Sequence, residues 1–364
     1  MNSTALLLPT GIDDPLARAR ELVLTYGWNA TSYQIVNPGI QLWFSHDGDA
    51  VVGYVERNQT RVVAGAPVCP PDRLVSVVDE FEQDCRDCKR RICYFGAEDR
   101  LEAVLRKRRT HSMVMLGSQP SWNPAHWAAI MAAKASLRAQ LSRARNKGIT
   151  VTPMPSTDAT NSPALRRVLD EWLATRGLPP MHFLVEPETL SRLFDRRVFV
   201  AQSRESEIVA FLVASPAPAR GGWLIEQFVR GARAPNGTVE LLLDTAMRAL
   251  AADGFEYVTL GLAPLSRYSL PQTVNPQWLR LALKLVRAHG RRFYNFEGLD
   301  RFKAKFQPER WEPVYAIVNE PHFSPGALYA IAAAFSDGSP VSTIVRALWR
   351  AARTELRWLH RRIK

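Results

Sequence analysis

Short β-branched runs and helical periodicities alternate along the chain in an order that occurs twice. Residues 50–55 and 60–65 read as neighbouring strands. Pro70-Pro71-Asp72 then opens an amphipathic helix to about Arg90, with Leu74, Val75, Val78 and Phe81 at helical spacing. Proline suits the entry of a helix, where its missing N–H has no partner to lose. Residues 92–96 follow as a strand. Further along, residues 198–202, 207–214 and 222–229 read as strands. Ala234-Pro235-Asn236-Gly237 opens a helix carried by Val239, Leu242, Leu243, Met247 and Leu250. Gly254 suits its C-terminal cap, and residues 255–260 form the strand after it.

The repeated order predicts an α/β protein of two related mixed-sheet halves, residues 1–120 and 121–320, followed by a tail at 321–364. A hinge is expected at 117–124, where Gly, Ser, Pro and Asn cluster. Residues 127–148 form one long helical pattern that carries Lys134, Arg138, Arg143, Arg145 and Lys147 and no acidic residue. A second helix is expected over 162–176, with Pro179-Pro180 breaking the chain after it.

Composition narrows the class. Of 364 residues, 46% are hydrophobic and 23% charged, which fits a globular protein and excludes wholesale disorder or a fibre. Forty-seven basic against 35 acidic residues leave a net charge of +12, which favours polyanionic partners such as nucleic acid or anionic lipid. Half of that excess sits in residues 341–364. There Ile344, Val345, Leu348, Trp349, Leu356 and Leu359 alternate with seven Arg and Lys, as in a basic amphipathic helix lying among lipid head groups. The competing reading is a terminal helix docked on the core through Ala347, Ala351 and Ala352. No stretch reaches the roughly 18–20 apolar residues of a membrane span, and the start lacks a basic signal-peptide region. The expectation is a cytoplasmic protein, peripheral on the inner face of the membrane, with no obligate protein partner. Cys85 and Cys88 form a C-x2-C that no second pair answers, so structural thiols are expected and no metal.

Three segments carry candidate chemistry. In the first, Arg230 and Arg233 flank a strand–loop–helix turn that ends at Asn236 and Gly237. Backbone N–H groups at such a helix start can hold a phosphate or a developing oxyanion, or the turn is an ordinary connection with Asn236 as its cap. In the second, Gly261 allows close backbone approach and Ser266 offers a hydroxyl, which turn chemistry explains equally well. In the third, Glu297 lies between an aromatic run and a glycine turn, with Lys303 and Lys305 shortly after. Glu297 can accept a proton from an attacking hydroxyl or grip an ammonium, or it can pair with a lysine to hold the turn.

Taken together, Ala234-Pro235-Asn236-Gly237, Leu260-Gly261-Leu262-Ala263-Pro264-Leu265-Ser266, the run from Phe296-Glu297-Gly298-Leu299 to Phe302-Lys303-Ala304-Lys305-Phe306-Gln307-Pro308, and Trp311-Glu312-Pro313 resemble the C-terminal catalytic domain of the phosphatidylglycerol lysyltransferases, or lysylphosphatidylglycerol synthases. The resemblance spans about residues 26–319 and is looser in the first half, where Val63-Ala64-Gly65-Ala66-Pro67 carries it.

It implies a tandem GNAT-like acyltransferase fold, in a stand-alone form without the family's flippase region. It further implies transfer of an aminoacyl group from aminoacyl-tRNA, as co-substrate and with no cofactor, to a lipid hydroxyl of the phosphatidylglycerol kind. Glu297, Arg230 and Gln227 are then the expected catalytic positions. Asn236, Gly237, Ser266, Lys303 and Lys305 are expected to bind substrate, the two lysines by touching phosphate or carboxylate. Lys134, Arg138, Arg143, Arg145 and Lys147 are expected to bind tRNA. One departure stands out: the family's strand usually has an acidic residue three positions before its Arg, and here that position is Gln227, with Glu226 adjacent. The alternatives are an acyl-CoA-dependent N-acetyltransferase and a non-catalytic module that binds membrane or RNA.

Overall fold

The computed structural model describes residues 14–175, 181–268, 275–280 and 296–336; the basic tail at 341–364, the first residues of the chain and Pro179-Pro180 lie outside them. In the first half β1 (Gln41–Phe44), β2 (Val51–Arg57) and β3 (Thr60–Ala64) are antiparallel. Helix α2 (Leu74–Asp87) then crosses to β4 (Arg91–Ala97), which is parallel to β3. In the second half β6 (Thr150–Met154), β7 (Arg197–Gln202), β8 (Ile208–Ala217) and β9 (Gly222–Arg230) are antiparallel. Helix α8 (Thr238–Ala252) crosses to β10 (Tyr257–Thr259), parallel to β9. The plan read from the sequence therefore occurs twice, as a tandem GNAT-like α/β fold.

The halves are fused through an exchange of strands. Beyond β4 come α3 (Asp99–Leu105) and β5 (Ser112–Trp122); beyond β10 come β11 (Ala263–Pro264), α9 (Phe296–Ala304) and β12 (Arg310–Val318). The sheet runs β1-β2-β3-β4-β12-β5-β10-β9-β8-β7-β6, with β11 also on β5. Strand β12 from the second half thus lies between β4 and β5 of the first, and β5 lies against β10 of the second.

Local chemistry explains the helix ends. α2 buries Val77, Val78, Phe81 and Cys85, after a 3-10 turn at Pro71–Arg73 has used the proline entry. α7 (Pro163–Ala174) starts where the Ser162 hydroxyl accepts from the Leu165 N–H at 3.3 Å. α8 ends with Gly254 at φ +78° and the Phe255 N–H reaching back to the Leu250 carbonyl at 3.1 Å.

Two expectations are corrected. Residues 117–122 of the expected hinge belong to β5 in the middle of the sheet. Its Ser118, Gln119 and Ser121 are buried, and Gln119 and Ser121 find partners on β12, where Glu312 accepts from them at 3.2 and 3.1 Å. Turn-forming residue types are tolerated because tertiary partners satisfy them, and a Cβ on Gly117 would collide with the Ala263 carbonyl. The long helical pattern of 127–148 is two helices, α4 (Trp127–Ala133) and α5 (Ala135–Asn146), broken at Lys134. The Arg138 guanidinium bridges the break by donating to the Met131 and Ala132 carbonyls.

Two polar joints bolt the halves together. A wholly buried 3-10 turn, Ser32–Val36, enters the second half, where Gln34 donates to Ser215 on β8 at 3.1 Å and Arg192 to the Val36 carbonyl at 2.6 Å. In the other joint, Arg220 donates to Glu98 at 3.0 Å, to Glu312 at 2.9 Å and to the Tyr257 hydroxyl at 2.8 Å. Burial pushes Glu98 up to about 7 despite the guanidinium beside it.

Candidate functional site

The site begins where β9 and β10 part. They pair only over 222–224 and 257–259. Beyond that point β9 carries an extra residue, Glu226, because Val213 of β8 faces Gln227 while Ala214 faces Ile225. The chain leaving β10 turns away through Gly261, at φ +68°, whose N–H donates to the Thr259 hydroxyl at 3.0 Å.

Lys303 holds the opening. Its ammonium, at the end of a 4% exposed residue on α9, donates to the Leu260, Gly261 and Leu262 carbonyls at 2.8, 2.7 and 2.9 Å. Burial draws Lys303 down to about 7, against the opposing pull of the nearby Asp300 carboxylate. The expected contact with a phosphate or carboxylate is not what this side chain makes: all three N–H bonds go to main-chain carbonyls, so it frames the site.

The same helix presents Glu297 at its first turn. Its carboxylate lies 2.6 Å from Arg301 and 3.5 Å from Arg267, and it stays partly open to solvent. Below it Asp300 is buried and accepts from the Arg267 N–H at 3.0 Å. The Ser266 hydroxyl, also buried, accepts from the Tyr268 N–H at 3.2 Å. Lys305 turns toward α8 and pairs with Glu240 at 2.7 Å, over the Phe302 ring. Ser266, Glu297, Lys303 and Lys305 are therefore gathered around α9. Among the described residues the arrangement offers a partly exposed carboxylate beside the Arg267 and Arg301 guanidinium groups, next to the opening in the sheet.

Other expected residues point elsewhere. Arg230 folds over its own loop and donates to the Ala234 carbonyl at 2.7 Å and to the Asn236 side chain at 3.3 Å. Gly237, at φ +96°, is the N-cap of α8 in place of Asn236. A Cβ at Gly237 would collide with the Gln140 carbonyl of α5, so α5 presses a carbonyl against this helix start. Gln227 donates to the Glu186 carbonyl at 2.7 Å and accepts from Thr189 at 3.4 Å. Its neighbour Val229 packs with α7 and Phe228 with α8, so Gln227 and Arg230 leave β9 on opposite faces. Glu226 does not supply the missing acid, because the buried Arg196 guanidinium neutralises it and also donates to Asn37 at 2.7 Å.

The basic residues of α5 are unequal. Arg138 is spent on the helix break, and Arg145 lies 3.5 Å from the buried Asp244 of α8. Arg143 reaches Gln140 at 3.3 Å, and Lys134 and Lys147 make no ion pair among the described residues. Arg267, Arg301, Arg196 and the Arg220 joint escaped the sequence reading. The signals were there for two of them: Arg267 adjoins Ser266, and Arg301 stands four residues after Glu297, one helical turn on.

Comparison with known proteins agrees in extent. A family profile described as phosphatidylglycerol lysyltransferase, C-terminal, matches residues 20–318. A phosphatidylglycerol lysyltransferase of Staphylococcus xylosus is 22% identical over 311 residues, 84% of this chain and 36% of that protein. One of Bacillus subtilis is 24% identical over 292 residues, 79% and 33%. The chain thus spans about a third of the length of these relatives. Among solved structures, the C-terminal domain of a protein described as a lysylphosphatidylglycerol synthetase from Agrobacterium fabrum is similar at TM-score 0.74 and 25% identity, covering 89% of this chain and 98% of that one. The L-PGS structure from Bacillus licheniformis has TM-score 0.72 at 22% identity, covering 93% and 97%, and supports the fold.

Proposed function

The chain belongs to the phosphatidylglycerol lysyltransferase C-terminal family, and from that premise we propose that it is an aminoacyltransferase that moves an aminoacyl group from aminoacyl-tRNA to the hydroxyl of a phosphatidylglycerol-like lipid. The observation that carries this reading is the place of Glu297, a partly exposed carboxylate beside Arg267 and Arg301 at the parting of β9 and β10. An aminoacyl ester is already activated, so the protein need only align it, remove a proton and stabilise charge. In the proposed step the lipid hydroxyl attacks the ester carbonyl as Glu297 takes its proton. The tetrahedral oxyanion faces Arg267 or Arg301. Collapse expels the ribose oxygen of the tRNA, which recovers the proton from Glu297. Lys303 keeps the 260–262 carbonyls turned inward on itself, and so keeps the opening.

An acyl-CoA donor is disfavoured by the loop before α8. A pyrophosphate needs free backbone N–H groups there, and Arg230 and the Gln140 carbonyl crowd that turn. The tRNA donor is supported by the basic side chains of α5, and the lipid acceptor by the family and by the charge of residues 341–364. We assign the tail at 341–364, on its seven basic residues against one acidic, the role of holding the protein at an anionic lipid surface. No helix among the described residues is long and apolar enough to cross a membrane.

Purified protein given charged tRNA and phosphatidylglycerol vesicles is expected to form aminoacylated lipid, and with acetyl-CoA to acetylate nothing. Glu297→Gln is expected to reduce the rate by roughly 100-fold or more at unchanged melting temperature. A folded Glu297→Gln variant with the wild-type rate would remove the site. Lipid or RNA binding without any transfer would favour the non-catalytic module.

A further inference from the structure

Tyr268 and Trp311 are stacked nearly parallel, with ring centroids 4.5 Å apart and 13° between planes. Among the described residues the other aromatic pairs are tilted or edge-on, from 35° between Trp127 and Phe306 to 88° between Trp223 and Phe255. Edge-to-face and offset-stacked pairs are both favourable, and a parallel pair differs in leaving the outer face of one ring flat for a further ring. The parallel pair lies at the surface, and its outer member, Tyr268, is 45% exposed.

The pair is also fixed in place. Trp311 stands on β12 opposite Pro120, in the middle of the sheet. Tyr268 is pinned from behind by its N–H to the Ser266 hydroxyl, and the preceding N–H is held by buried Asp300. The Arg267 guanidinium is half exposed beside it and reaches Glu297 at 3.5 Å. A rigid flat face next to accessible guanidinium groups is what proteins use to stack unpaired bases while contacting their phosphates.

We propose that Tyr268, backed by Trp311, is the stacking platform for the terminal base of the RNA donor. The inference rests on the aminoacyl-tRNA reading and deepens it by naming a contact. The terminal nucleotide carries the aminoacyl ester on its ribose. With its base on Tyr268, that ribose lies toward Arg267 and Glu297, where the ester must react. Stacking is sequence-tolerant, so the platform recognises an unpaired 3′ base and leaves the choice of amino acid to other groups.

The test uses uncharged RNA stem-loops with a single-stranded CCA end, and the same stem-loops with an abasic 3′-terminal nucleotide, binding to the full chain. The wild type is expected to bind the complete RNA roughly tenfold more tightly than the abasic one. Tyr268→Ala is expected to erase that ratio, Tyr268→Phe to keep it, and Tyr268→Leu, which fills the space without a π-face, to lose most of it. Because each protein is compared with itself on two RNAs, a partial loss of fold cancels. A ratio of one in the wild type, or a tenfold ratio surviving in Tyr268→Ala, overturns the platform. Transfer from charged tRNA to lipid by the wild type is scored separately. Its absence alongside a Tyr268-dependent ratio would sink the transferase reading and leave the RNA contact standing.

Discussion

The two halves share one order of elements and use it differently at the point where the crossover strand returns. In the first half β3 and β4 pair over five positions, and the Gly65 N–H extends the ladder to the Phe95 carbonyl at 2.8 Å. In the second half β9 and β10 pair over three positions and then separate. The carbonyls freed by that separation cannot stay buried without donors. Lys303 supplies them from outside the sheet, and the opening it maintains is where Glu297 and its two arginines stand. Where the ladder closes, the polar side chains nearby are consumed by the Arg220 joint. A fold can thus be duplicated while its strands part, and make room for polar side chains, in one half alone.

The exchange of β5 and β12 makes the sharpest test of whether the halves are separate units. Residues 1–123 and 124–364 made separately are expected to be unfolded by circular dichroism, since each lacks the strands that flank its last one, and to regain structure when mixed. A folded 1–123 fragment would show that the joint is dispensable.

Within the second half, Lys303→Met keeps length and apolar stem while removing three donors. Leaving buried carbonyls unpaired should cost about 3 kcal/mol or more in urea unfolding. A loss below about 1 kcal/mol would mean that the opening holds itself.

The joint on the first half predicts a pH dependence. Glu98 has an ordinary value of 4.5 and is raised to about 7 in the folded protein. Below about 4.5 both states are protonated and its contribution is fully present. As pH rises toward 7 the unfolded chain gives up this proton while the folded one keeps it, so stability falls, by about 1–3 kcal/mol. Glu98→Gln should flatten that slope between pH 4.5 and 7.5; an unchanged slope would assign it to other groups.

The smallest effect is expected on α5. Replacing Lys134, Arg143 and Lys147 by Gln should lower the slope of log affinity for tRNA against log salt by roughly one per lost contact, with no change in melting temperature. An identical slope would place the tRNA elsewhere.

Much of the second half's plan was legible in local pattern. Val239, Leu242, Leu243, Met247 and Leu250 announce α8 because helical periodicity depends on neighbours a turn apart, and β-branched runs announce β7 to β9 for the same local reason. Glu297 and the Leu260–Ser266 turn could be singled out as candidates through the motifs in which they stand, and the fold brings them together around α9. The polar stretch of β5 was misread, since Ser118, Gln119 and Ser121 look like a linker until their partners are known.

The sequence by itself determined the repeated order of elements, the excess of positive charge and a short set of polar residues with chemical potential. Only the tertiary structure decided which of those residues are spent and which remain open. Lys303 finds its carbonyls 41 to 43 positions away, Arg220 finds Glu312 across 92 and Glu98 across 122. A side chain's availability depends on whether the folded chain brings it a partner and removes water from both. Contacts that distant leave no periodicity in the sequence to read.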